Sequence, residues 1–230
     1  MSQTLLQTAI SRNAHASSGR RFFLLFVLLL VFLIVYPYIE TSRFIYLLFR
    51  VLGAAVVLLC VYAVSFRRSL LVIALVLAIP ALLQRILFSR ADAGSFIILN
   101  TALSFVFDVF VVTVIFRRIF ARDESTSETI YGALCIYLLL GFGFASLYGA
   151  LARLQPRSFY LDPLSNTHTV PRLFDFVYYS FATMTSVGAT GIVPVTDNAR
   201  SLSVIEAILG VLYLAVLISR LITTYRRSPG

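Results

Sequence analysis

A chain of 230 residues that is 60% hydrophobic and only 13% charged, with a mean hydropathy of +0.93, is too apolar for a water-soluble domain and reads as an integral membrane protein. Its net charge of +9 rests on nineteen basic residues, all of them arginine. They stand at the ends of apolar runs and form no basic face, which argues against a nucleic-acid partner.

Residues 1–21 are polar, without acids, and read as a short cytosolic tail. The apolar run that follows is too long for a signal-peptide core, and no small-residue cleavage site comes after it. About 20 apolar residues rising 1.5 Å each cross the bilayer core. Six stretches qualify: Phe22 to Tyr38, Phe44 to Phe66, Leu70 to Phe88 with Pro80 as an expected kink, Phe96 to Phe116, Ile130 to Leu151, and Leu202 to Thr223. Cys60 and Cys135 lie inside these runs and read as small buried residues. Gly141, Gly143 and Gly149 lie in the fifth run and read as sites of close helix packing. Between the fifth and sixth runs, Pro171 to Met184 is apolar but too short to cross, so it is expected to be re-entrant.

With the N-terminus inside, eleven arginines fall on or near the cytosolic side and six on the outer side. The positive-inside bias therefore puts both termini in the cytosol. Arg50 and Arg85 fall within helices, nearer their outer ends, and Asp108 sits mid-helix in the fourth run. An ion pair inside a four-helix unit follows from the cost of isolated charge at that depth. The fourth run has no arginine between Phe96 and Phe116, so weak intrinsic voltage dependence is expected. The polar stretch 117–128 is the natural boundary. It separates a peripheral unit, 22–116, from a second unit, 129–225, and a short cytosolic tail, 226–230, ends the chain. That tail is too short to hold a cytosolic regulatory domain.

Thr169 is expected to cap a helix starting at Pro171. Its C-terminal end, with partial negative charge, would point into the membrane and favour a cation. The strand "TSVGATG", Thr185 to Gly191, would then return outward. Irregular backbone at that depth is tolerated only inside protein or along a water-filled path.

On these residues the chain resembles the potassium-channel pore-domain family. "SFATMTSVGATGIVPVT" is similar to that family's filter signature T-x-T-T-V-G-Y-G-D followed by a hydrophobic residue, any residue and Pro. Thr183, Thr185, Val187, Gly188 and Pro194 match, and Ser186 stands for a Thr. "ETIYGALCIYLLLGFGFASLYGAL" resembles the outer helix of bacterial two-helix pore modules, and "ARSLSVIEAILGVLYLAVLISRLI" their inner helix. The resemblance covers about Ser127 to Thr224. It implies an all-α homotetramer, six transmembrane helices per chain plus a re-entrant pore helix and filter strand, in the plasma membrane, of bacterial inner-membrane type. It also implies K⁺ at the carbonyls of Thr185, Ser186, Val187 and Gly188, with no other cofactor; membrane lipid is the remaining partner.

The outer end departs from the family. Ala189, Thr190 and Gly191 replace its Tyr, Gly and Asp, removing side chains that brace the strand in relatives. A β-branched Thr190 does not suit a backbone position that needs positive φ. A gapped alignment makes Gly191 the second filter glycine after a one-residue insertion. Both alignments lead to intact inner sites, a wider or mobile outer mouth and weakened K⁺ over Na⁺ discrimination.

Three support roles are expected. Glu206, at membrane depth, braces the filter from behind through Tyr178, Tyr179 or another hydroxyl. Thr183 belongs to the same pore-helix support. Gly210 is either a gating hinge, as a nearby glycine is in relatives, or a close-packing residue. No Walker A pattern, nucleophile elbow or HExxH is present, so no enzyme is expected. A cation channel is the first functional reading; the second is a non-conducting scaffold or regulatory subunit that keeps the pore fold.

Overall fold

The computed structural model describes residues 20–38, 43–66, 68–87, 94–121, 127–188 and 191–226. The N-terminal tail through residue 19, the Arg85 and Pro80 side chains, and Ala189 and Thr190 lie outside the described residues. Helix α1 covers residues 20–35 and tightens into a 3-10 turn at Tyr36–Tyr38, where Pro37 withholds a helical donor. Then come α2 (Arg43–Val64), α3 (Arg68–Leu87), α4 (Gly94–Phe120) and α5 (Ser127–Leu154). Strand β1 (Phe159–Leu161), helix α6 (Leu173–Met184), strand β2 (Ile192–Pro194) and helix α7 (Asp197–Arg226) complete the order.

The protein is a helical membrane protein. Among the described residues, four helices are long and apolar enough to cross a bilayer: Arg20–Tyr38, Leu47–Val64, Glu128–Leu154 and Asp197–Arg220. The apolar segment Arg68–Ile79 in α3 is shorter.

One core joins the helices that precede residues 122–126 with those that follow them. Phe22, Leu25 and Leu29 of α1 are buried in one cluster with Val111 and Ile115 of α4 and Cys135, Ile136 and Leu139 of α5. The Cys135 thiol donates to the Phe22 carbonyl at 3.3 Å. Near the linker, Arg118 at the end of α4 donates to Glu128 in the first turn of α5 at 2.6 Å. Its guanidinium also lies 3.4 Å over the Phe66 ring. Toward the other end, Phe32 of α1 stacks on Phe49 of α2 at 4.5 Å and meets Phe142 of α5 edge-on at 5.4 Å. Phe142 in turn meets Phe181 of α6 at 5.5 Å.

Because lipid tails are as apolar as leucine, close packing must hold such helices together. Gly141 and Gly149 of α5 serve this, whereas a carbon added at Gly143 would meet only Asp108 Oδ2, at 3.9 Å. A carbon added at Gly141 would lie 2.5 Å from the Phe181 ring, and one at Gly149 would lie 3.2 Å from Leu173. Arg50, Asp108 and Arg153 line a common cavity of about 340 Å³ between α2, α4 and α5, walled by Phe32, Val57 and Phe142.

Candidate pore segment and its supports

Helix α6 is twelve residues long, about 18 Å at 1.5 Å per residue, too short to cross. It starts at Leu173, two residues later than the sequence led us to expect, and Thr169 does not cap it. The reason is Asp175. Its carboxylate accepts the Arg172 N–H at 2.6 Å, and the Asp175 N–H returns to the Arg172 carbonyl at 3.1 Å. The same carboxylate oxygen lies 2.6 Å from His168 Nε2. An acid in the first turn also suits the positive end of the helix.

At the other end, Ser186 has φ +58. Its N–H donates to the Thr183 carbonyl at 3.1 Å, and the Val187 N–H reaches back to Ala182 at 2.9 Å. This pair of bonds is a Schellman closure, with serine where glycine is usual. Gly188 follows at φ +63, so left-handed residues flank Val187. Thr185, Ser186, Val187 and Gly188 are all exposed. Among the described residues, no N–H donates to any of their four carbonyls. The Thr185 hydroxyl is turned inward, to Phe181 O at 2.7 Å, and the Thr183 hydroxyl donates to Tyr179 O at 2.8 Å.

Behind this segment stands Glu206 of α7, fully buried. Tyr148 of α5 and Ser180 of α6 each donate a hydroxyl to it at 2.5 Å, on opposite carboxyl oxygens. Ser180 Oγ also lies 2.8 Å from the Gly141 carbonyl oxygen, so its single proton is shared between the two acceptors. One carboxyl group thus joins three helices. One turn earlier on α7, Ser203 meets the Tyr179 hydroxyl at 2.7 Å. Tyr178 is half exposed, and no hydrogen bond from it to Glu206 is seen among the described residues. Sequence reasoning singled out Glu206 and Tyr179 but not Tyr148, Ser180 or Ser203. The available signal was the spacing of Ala199, Ser203, Glu206 and Gly210, three or four apart along one helix face. Gly210 packs directly on the base of the segment: a carbon added there would lie 2.6 Å from Met184 O and 2.9 Å from Met184 Cα.

The outer end is held from the loop before α6. β1 and β2 pair antiparallel, with Leu161 opposite Ile192. The ladder continues one step as the Asp162 N–H donates to Gly191 O at 2.9 Å. Asn166 Nδ2 donates to the same oxygen, also at 2.9 Å. Gly191 itself has φ +68.

The turn that presents these donors is closed by Asp162, whose carboxylate accepts from the Ser165 hydroxyl at 2.6 Å and the Leu164 N–H at 3.2 Å. Those bonds, the Ser165 hydroxyl first, hold the Asp162 carboxyl below its ordinary value. A depressed folded value contributes stability that is present above the ordinary carboxylate range and is lost as pH falls through the folded value. Thermal melts at stepped pH should therefore show an Asp162-dependent loss only below about pH 4. Asp162→Asn is expected to flatten that acid limb; an unchanged limb would refute the assignment.

The chain's comparisons with known proteins leave it without a match among curated proteins or solved structures. One family model does match, over residues 132–227: it is described as an ion channel, a family of channels and not of enzymes, and the stretch it covers holds most of α5, the short α6, the exposed Thr185–Gly188 segment and α7.

Proposed function

We propose that the chain is a K⁺-conducting channel subunit, and that four copies enclose one axis in a plasma membrane with both termini in the cytosol. Each copy spans the bilayer six times and contributes one filter segment. The carbonyls of Thr185, Ser186, Val187 and Gly188 take the place of water around a dehydrated cation. One observation carries this: four successive exposed residues whose carbonyls have no described donor, at the C-terminus of a short helix, with left-handed residues at alternate positions. Peptide oxygens left bare at membrane depth need a partner, and the negative end of α6 favours a cation.

The inner helix supports the assembly. Only 17% of its membrane-length window is buried within one chain, and Val204, Ile208, Val211 and Leu212 are exposed. Neighbouring copies would cover part of that surface.

The positive φ of Gly191 favours the gapped alignment, with two residues between the filter glycines in place of one. Its carbonyl is engaged by the outer loop, so it anchors the strand and lends no oxygen to the ion. Fewer consecutive sites then weaken discrimination between K⁺ and Na⁺. Recording from purified protein in planar bilayers, in K⁺ and then under bi-ionic K⁺/Na⁺ conditions, tests this. Unitary K⁺ currents with a modest shift of reversal potential are expected. A strictly K⁺-selective current would refute the weakened filter, and a silent protein of four-chain mass would favour the non-conducting scaffold.

A further inference from the structure

We propose that the turn Asp162–Asn166 is a clasp that sets the outer limit of the filter and thereby its ion discrimination, with Asn166 as the positioning residue. The inference rests on the channel function proposed above.

Two donors from one short turn converge on a single oxygen, Gly191 O, each at 2.9 Å. A carbonyl has two lone pairs, so this oxygen is fully used. It is therefore fixed to the scaffold and directed away from any ion. The turn is itself rigid. Besides the two bonds to the Asp162 carboxylate, the Asp162 carbonyl accepts the Ser165 N–H at 3.2 Å, the Asn166 N–H at 3.1 Å and the Asn166 Nδ2 at 2.9 Å. Asn166 thus spends both Nδ2 protons, one to close the turn and one to hold Gly191.

Sterics point the same way. A carbon added at Gly191 would lie 2.7 Å from Ser165 Cβ and 2.8 Å from Asn166 Nδ2. The approach between loop and strand admits no side chain, and the left-handed backbone at this position favours glycine independently. The position therefore needs glycine for two separate reasons.

The clasp does by backbone capture what side-chain braces do elsewhere. It pins the segment at Gly191 while α6 pins it at Thr185. The span between is fixed at both ends, which limits how far the carbonyls can close around a smaller ion or open for a larger one. Asn166→Leu keeps similar bulk and removes both donors. Asn166→Asp keeps the shape and turns a carboxylate oxygen toward the Gly191 and Asp162 carbonyls. Asn166→Gln keeps the amide.

The test is the K⁺/Na⁺ permeability ratio from bi-ionic reversal potentials, each variant first checked for wild-type elution and melting. Asn166→Leu and Asn166→Asp should lower the ratio by roughly fivefold, the factor that the lost hydrogen bond to Gly191 O is worth, with unitary K⁺ conductance retained. Asn166→Gln should recover most of it. Gly191→Ala, which displaces the same contact from the strand side, should match Asn166→Leu. If the wild type conducts and all four variants keep its ratio, the clasp is overturned and the channel function stands. A wild type that passes no current overturns both.

Discussion

Glu206→Ala is expected to unseat α6 and, on the proposed function, to abolish K⁺ flux. The Tyr148 hydroxyl loses its buried acceptor and Ser180 loses one of two, while a cavity opens between three helices. The unsatisfied Tyr148 hydroxyl and the lost volume together cost about 2–5 kcal/mol. In a detergent-solubilised sample this should appear as a clear fall in melting temperature, with loss of flux in liposomes. Glu206→Gln should be far milder. Its amide oxygen can accept from Tyr148, and its NH₂ can donate to the Ser180 oxygen while Ser180 still donates to Gly141. An alanine variant that melts with the wild type would remove Glu206 from the support of the pore segment.

Gly210→Ala is expected to damage the proposed filter segment itself. The added carbon meets main-chain atoms, Met184 O at 2.6 Å and Met184 Cα at 2.9 Å, and not the yielding tip of a side chain. Either α7 must retreat or the segment beginning at Thr185 must shift. Overpacking of this kind costs about 1–3 kcal/mol. A lowered melting temperature and a changed K⁺/Na⁺ ratio should accompany one another. A hinge role alone would alter open probability and leave both of those quantities at wild-type values, so recordings of the alanine variant separate the two roles.

The apolar runs were readable because bilayer thickness dictates their length, and the short α6 stood out because it falls below that length. What could not be read was which side of α7 packs inward. The helix is apolar nearly all round, and its buried stripe contains Ser203, Glu206 and Gly210. In water the greasy face turns in; here the polar and smallest residues do, because lipid can cover the rest. Tyr148 was passed over for the same reason, as an aromatic within an apolar run.

The start of α6 was misplaced because Thr-Val-Pro at Thr169 looks like a helix entry. The decisive residue was the acceptor at Asp175, three positions beyond Arg172. The Asp162–Asn166 turn was legible only as polar loop, since its purpose depends on a partner 25 residues away from Asn166.

The core shared by the helices before and after residues 122–126 has a practical consequence. A fragment beginning at Ser127 would contain the whole matched region from residue 132 on, yet its first helix would lose the lining that Phe22, Leu25 and Leu29 provide. The family-matched half is thus no detachable cassette: α1 is part of its wall, and any push on the early helices from the surrounding bilayer has a solid mechanical route to α5 through that shared seam.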